Sequence, residues 1–376
     1  MSSLLFSPLS LRSMNLENRI VVSPMAQFMA DEKGNATDWH LMHLGMLALS
    51  GSGLLITEAI AVEPCGANTL NYLGLWSDDN ERTLKRVIDF CRQIAPIKLG
   101  VQLHHAGRKA SVSKPWEPYR ELPIGQGGWS VLSASNAPYP GRKNPVEALD
   151  DDGLARVKSQ FVDATRRSLR IGFDVIELHF AHGYLLHSFL SPLSNLRQDR
   201  YGGDLEGRMR FPLEVYQAVR EAWSAERPVG VRISATDWID GGWDIADSVE
   251  FVRKLKALGC DYIAVSTGGL SPEQKITVGP AYQVPFADRI RRETGIATMA
   301  VGLLHQPKLA ESILADGKAD LIALGRGMLA DPRWPWRAAE LLGAKVHYPP
   351  PYARCHPSMI NRDIFKPSQW PAEVSG

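Results

Sequence analysis

The feature that most constrains this chain is a count. Eight short apolar or β-branched runs recur, each ending at glycine, proline or a polar residue. They are Arg19–Ser23, Leu54–Glu58, Lys98–Leu103, Asp174–His179, Val229–Ile233, Asp261–Ser266, Ala297–Val301 and Asp320–Leu324. Between them lie stretches with apolar residues at three- and four-residue spacing. These are Asp38–Ser50, Asp78–Ile94, Asp151–Ile171, Glu206–Trp223, Ile245–Leu258, Tyr282–Glu293 and Pro307–Asp316. Several close on a glycine just past the helical stretch, as at Gly172, Gly259, Gly295 and Gly317. Three times a glycine is followed shortly by an aspartate that leads into a strand: Asp174, Asp261 and Asp320. Continuously apolar strands suit a parallel sheet covered by helices. Eight of them alternating with helices predict an α/β fold, a (β/α)8 TIM barrel, which needs roughly 250 residues plus insertions. The chain has 376 residues. The surplus falls in an insertion after the third strand, residues 107–145, rich in Pro, Gly, Ser and Trp, and in a C-terminal tail, 346–376. A long loop of this kind usually forms the lid or wall of a site. Residues 1–376 are therefore read as one domain with its core at about 5–345.

Composition narrows the function. Lys plus Arg number 42 and Asp plus Glu 41, a net charge of +1. That balance speaks against nucleic-acid binding, which needs a basic surplus. No apolar run reaches the ~18 residues of a membrane span, and the first residues lack a signal-peptide pattern. The four cysteines, Cys65, Cys91, Cys260 and Cys355, have no CxxC spacing and read as free thiols in a reducing, cytoplasmic setting.

Active sites of such barrels sit at the C-terminal ends of the strands. Those ends deliver Pro24-Met-Ala26, Glu58-Ala59, Gln102 with His104-His-Ala-Gly-Arg-Lys109, and His179-Phe-Ala-His182-Gly-Tyr184. Arg232, Ser266-Thr-Gly-Gly269, Gly302 and Gly325-Arg326-Gly327 complete the set. The two histidines admit a metal site with Glu177, a clamp of two N–H donors on a carbonyl oxygen, or a purely structural role. Arg232 needs an anion, a delocalised oxygen or a structural ion pair. Gly302 and Gly325, each just before a helix, with Arg326 as a donor, fit the phosphate site of this barrel class; tight turns alone would also explain the glycines. Gly325-Arg-Gly327-x-x-Ala330 mimics a dinucleotide fingerprint, but it follows the last strand, with no further βαβ unit after it.

Taken together, these residues resemble the old yellow enzymes, FMN-dependent ene-reductases, and most closely their bacterial thermophilic-like, xenobiotic-reductase branch. The resemblance spans about Leu5 to Arg354. It rests on Asn18-Arg-Ile, Pro24-Met25, Asp38-Trp-His, Gln102-Leu-His-His-Ala-Gly-Arg-Lys109 and Glu177-Leu-His-Phe-Ala-His-Gly-Tyr-Leu185. Ser191-Pro-x-x-Asn195, Arg200-Tyr-Gly-Gly203, Arg208 and Gly325-Arg326 continue it.

The resemblance implies FMN as cofactor, NADPH or NADH as hydride donor and a small activated alkene as substrate. It implies that Pro24, Met25, Ala26, Ala59 and Gln102 line the flavin ring, with Arg232 stabilising its reduced form. Gly302, Gly325 and Arg326 would hold the phosphate. His179 and His182 would bind the substrate carbonyl and Tyr184 would give the proton, with Phe28, Lys109 and Trp116 bordering the site. Arg354 would reach a neighbouring subunit in a homodimer or homotetramer. No metal is implied. The sequence departs from the branch's pattern at two places. Ala26 stands where the branch has a hydrogen-bonding Cys, and Phe28 stands where it has Tyr. The rival readings are a metal-dependent barrel hydrolase using Glu177, His179 and His182, and a non-catalytic flavin carrier.

Overall fold

A computed structural model describes residues 3–356. Its centre is a closed barrel of eight parallel strands. We label them β1 (Ile20–Val22), β2 (Leu54–Ala61), β3 (Lys98–His104), β4 (Val175–Phe180), β5 (Val229–Ser234), β6 (Tyr262–Ser266), β7 (Ala297–Ala300) and β8 (Leu321–Leu324). They are hydrogen-bonded in chain order, and β8 closes on β1 through Ile322, Ala323 and Leu324. The eight expected strands and seven expected helices are all present, with ends shifted by at most a few residues.

The helices are α1 (Asp38–Ala48), α2 (Asp78–Ile94), α3 (Asp151–Ile171), α4 (Leu185–Leu190), α5 (Leu205–Ala222), α6 (Ile245–Ala257), α7 (Val284–Thr294), α8 (Pro307–Ala315), α9 (Arg326–Ala330) and α10 (Trp334–Leu342). Their starts follow capping chemistry. Ser77, Asp150 and Asp204 accept the N–H of Asn80, Gly153 and Gly207 in the first turn of α2, α3 and α5. Gly172 ends α3 at φ +97°, a conformation a side chain would strain. An N-terminal hairpin, Leu9–Leu11 with Met14–Leu16, lies outside the barrel.

The glycine–aspartate signals have a common purpose. Asp174 donates its N–H to Leu99 O, while its carboxylate accepts the Leu99 N–H at 2.8 Å. Asp261 does the same with Val229, and Asp320 with Thr298. Each aspartate therefore clips an even-numbered strand to its odd-numbered predecessor at the N-terminal rim. Each also carries an arginine: Arg92, Arg12 and Arg291 respectively. An N–H bond to a charged acceptor is worth about 1.5–3 kcal/mol. Asp320→Ala is expected to lower unfolding free energy by about that amount in urea denaturation. An unchanged midpoint would show that the clip carries no load.

The insertion is more structured than a bare lid. A 3-10 turn at Gly107–Lys109 opens it, and a parallel pair, Val131–Ser133 with Val146–Ala148, runs past its expected end at 145. The tail is described only to His356; the rest of 346–376 lies outside the described residues. Its first part packs on α10, with the Arg333 guanidinium 4.4 Å from the Trp336 ring and 4.5 Å from the Tyr352 ring. Among the described residues, no helix is long and apolar enough to cross a membrane, and the four cysteines are free.

Candidate active site

The C-terminal rim holds a cavity of about 950 Å³. Ser23, Pro24 and Met25 after β1, Arg232 on β5 and Ser266 on β6 line it, with Gly302 after β7 and Gly325 and Arg326 after β8. Gly302 sits at φ +118°, and a Cβ there would come within 3.2 Å of Gln283 Nε2 and 3.3 Å of the Tyr282 ring. A Cβ on Gly325 would only reach ordinary van der Waals contact with Met25 Sδ, at 3.5 Å. Arg232 donates from Nη1 to Ser23 Oγ at 3.0 Å, and its Nε is buried without a partner. Burial pushes its pKa down, and the nearby Glu177 charge pushes it back up. An unpartnered guanidinium N–H, a glycine-cleared floor and an exposed Arg326 form a cradle that an anionic, phosphate-bearing ligand fits.

Beside the cavity the other residues gather. Ala59 pairs in register with Gln102, next to a shift in the β2–β3 register. Gln102 donates to Glu177 Oε1 at 2.7 Å, and Tyr262 OH donates to Glu177 Oε2 at 3.2 Å. Both Glu177 oxygens are thus engaged away from the histidines, which removes the support for a metal centre built on Glu177, His179 and His182. A different group, Glu63, Cys65 and His105, brings ligating atoms together. There Glu63 is already tied to both His105 and Arg156, and the Cys65 thiol is pushed up to about 12 by burial, so it stays protonated.

His179 Nε2 and His182 Nδ1 face each other at 3.2 Å. The Tyr184 ring stands edge-on to His179 and to His104, with centroids 4.9 and 4.4 Å away. His182 has φ +59°, a left-handed conformation that costs a non-glycine residue about 1–3 kcal/mol. Its loop is held by several bonds. Lys109 Nζ donates to His182 O and Gly269 O, both at 2.9 Å, and His182 N–H donates to Ser234 Oγ. Gly183 N–H donates to His187 Nδ1, whose other nitrogen lies 3.1 Å from Asp237. Burial and the neighbouring Arg142 and Arg108 push the Lys109 ammonium down to about 7. Trp116 is exposed and stacks edge-on against Phe28 at 5.9 Å. Phe28, at φ +56°, also meets Tyr72. Ala26 is half-buried beside the Ala59 cluster and offers no side-chain hydrogen bond. Arg354 is exposed on a 3-10 turn and does not line its own chain's cavity.

Burial, reinforced by surrounding positive charge, holds His104, His179 and His182 well below the usual imidazole range. The unfolded chain takes up these protons near pH 6.5 and the native chain only at lower pH. Acid therefore favours the unfolded state, and Tm is expected to fall between pH 7 and 5. A flat Tm over that range would contradict neutral native imidazoles.

Residues 4–344 match the sequence model of the NADH:flavin oxidoreductase / NADH oxidase family. The chain belongs to that family. The old yellow enzyme resemblance is borne out, and the chain is an oxidoreductase of old yellow enzyme type. An NADPH dehydrogenase of Geobacillus thermodenitrificans is 41% identical over 355 residues, 94% of this chain and 99% of that one. Among solved structures, a morphinone reductase superposes with a TM-score of 0.76 at 27% identity, covering 93% of this chain and 92% of that one. A 2-naphthoyl-CoA reductase superposes with a TM-score of 0.82. It is 23% identical, which shows the fold alone; 91% of this chain is covered, but only 52% of that one.

Sequence reasoning located the barrel mouth of this old yellow enzyme but missed several polar partners there. Asn68 Oδ1 lies 2.8 Å from His104 Nε2, and its side chain also hydrogen-bonds Tyr184. Gln283 accepts from Ser266 and Thr267. Asn68 and Gln283 sit beyond the strand ends, in the stretches between β2 and α2 and between β6 and α7, and only the fold brings them to the barrel mouth.

Proposed function

We propose that this chain is an FMN-dependent ene-reductase that uses NADPH or NADH to reduce the activated C=C bond of a small α,β-unsaturated carbonyl compound. The observation that carries this reading is the pair of facing histidine nitrogens beside Tyr184, at the lip of a cavity that fits an anionic cofactor. The family description and the relative's name support flavin and nicotinamide as the redox partners.

Gly302, Gly325 and Arg326 would hold the FMN phosphate. Pro24, Met25, Ala26, Ala59 and Gln102 would line the ring, and Arg232 would meet its polar edge. When bound, FMN supplies the hydride chemistry, taken from the nicotinamide and passed to the alkene's β-carbon. The chain's own residues do the rest. His179 and His182, both neutral, donate to the substrate oxygen and draw electrons from the alkene. Tyr184, kept protonated by burial, gives its proton to the α-carbon. The resulting phenolate is eased by the Asn68 hydrogen bond and the charges of Arg142 and Arg232. Phe28 and Trp116 form an apolar wall at the entrance. Arg354, exposed and outside its own cavity, would complete the site of a neighbouring subunit in a homodimer or homotetramer.

The test is the colour of the purified protein and its fate under anaerobic conditions. A yellow protein should bleach with NADPH and recover its colour with cyclohexenone. A colourless protein would sink the flavin reading, and a flavin that bleaches but is not reoxidised by the enone would favour a carrier. Ala26→Cys restores a hydrogen-bonding side chain at the ring and is expected to shift the flavin midpoint potential. Equal potentials in the two proteins would show that position 26 does not tune it.

A further inference from the structure

The histidine pair poses a problem of proton placement. Ala181 N–H points at His179 Nδ1 at 3.3 Å. A backbone N–H can only donate, so this nitrogen is bare and the neutral ring carries its proton on Nε2. That Nε2–H meets His182 Nδ1 at 3.2 Å, which must accept. His182 is then protonated on Nε2, which donates to Ser266 Oγ at 2.7 Å. Ser266 Oγ–H in turn donates a hydrogen bond to Gln283 Oε1 at 3.2 Å. The relay runs in one direction, from Ala181 through both imidazoles and Ser266 to Gln283. In this state the pair presents one donor, and that donor is already used.

An oxygen seated between the rings needs two donors. His179 presents Nε2–H to that space in any case. His182 can supply the second only with its proton on Nδ1. Adding a proton to make an imidazolium is opposed by burial and by the Arg232 and Lys109 charges. The neutral route requires that Nε2 become an acceptor, and so requires a donor opposite it. The Ser266 hydroxyl can be that donor, because rotation about its Cβ–Oγ bond turns it from acceptor to donor. Gln283 Oε1 is not stranded when this happens, since Thr267 Oγ1 donates to it at 2.9 Å. The backbone of Ser266 stays fixed: it pairs with Ser234 in the β5–β6 ladder, and its carbonyl accepts the Ala235 N–H at 2.8 Å.

We propose that Ser266 is a positioning residue that sets the tautomer of His182, reversing its hydrogen bond to Nε2 so that the His182 proton moves to Nδ1 when a carbonyl oxygen binds. The proposal rests on the clamp reading above. The proton balance is neutral. One proton leaves Nε2 and one arrives at Nδ1, exchanged with water as the ligand enters, and the ring stays uncharged throughout. With the two rings bonded to each other the donors form a closed relay; with a carbonyl oxygen between them, the relay opens into two parallel donors.

The experiment uses the oxidised holoenzyme with 15N-labelled histidine and cyclohexenone, without reductant. Nitrogen shifts report which ring nitrogen carries the proton. Free wild-type His182 is expected to be protonated on Nε2, and the enone-bound form on Nδ1. Ser266→Ala is expected to lose this interchange, giving a mixture of tautomers, and to weaken enone binding about tenfold, the worth of one buried hydrogen bond. Ser266→Thr, which keeps the hydroxyl, should restore both. The proposal falls if the enone shifts the His179 and His182 signals while His182 keeps one tautomer, or if Ser266→Ala interchanges as wild type does. If the enone leaves both histidines' signals unmoved, the clamp itself is wrong. Should Ser266→Ala lose its flavin, the wild-type titration and Ser266→Thr decide the matter.

Discussion

Tyr184→Phe is expected to lower cyclohexenone reduction by about 10²–10⁴-fold, the usual worth of a positioned acid, while flavin reduction by NADPH stays close to wild type. The change deletes one oxygen and leaves the ring, so the edge-on contacts with His104 and His179 survive. What is lost is a phenol that burial keeps protonated and that Asn68 holds by its side chain. The two half-reactions separate the proton from everything else: a variant crippled in both would point to disturbed flavin binding. Full alkene reduction by Tyr184→Phe would remove Tyr184 from the chemistry.

The second large effect belongs to the histidine pair. His179→Ala combined with His182→Ala removes both oxygen donors and is expected to raise the enone dissociation constant by about 10²–10³-fold, two hydrogen bonds of roughly 1.5 kcal/mol each or somewhat more. The single changes should not add simply, because the two rings bond each other at 3.2 Å and share one proton relay. Flavin content is the control, since neither ring lines the phosphate cradle. Unchanged enone affinity in the double variant would refute the clamp.

The barrel was legible because its signals are local. A β-branched run closed by glycine or a polar residue marks a buried parallel strand, and all eight lie within a few residues of where they were expected. The misses have physical causes. The N-terminal hairpin turns through Arg12 at φ +48°, anchored by Asp261, and so lacks the Asn-Gly type of turn that would announce it. α4 and α9 are six and five residues long, too short to show a period, and α4 is buried on every side. In the site, Pro24, Met25, Arg232, Gly302, Gly325 and Arg326 come together as the strand-end rule predicts. The rule could not say which nitrogen of His182 is protonated. That depends on a hydroxyl 84 residues away in sequence and on a backbone N–H next to His179.

The aspartate clips at the opposite rim also bear on how the barrel can be taken apart. They tie β3 to β4, β5 to β6 and β7 to β8, so each clip lies within a consecutive pair of strands. Three of the four consecutive strand pairs thus carry an internal fastening of this kind, while β1–β2, whose second strand follows Gly51-Ser52-Gly53, has no such aspartate. A break in the backbone between two fastened pairs, in the turn from α5 to β5, leaves all three fastenings intact within continuous fragments. A break between β7 and β8 separates Thr298 from Asp320. Fragment complementation should therefore succeed at the first cut and falter at the second, which makes the junction before β5 the natural place to split or recombine this enzyme.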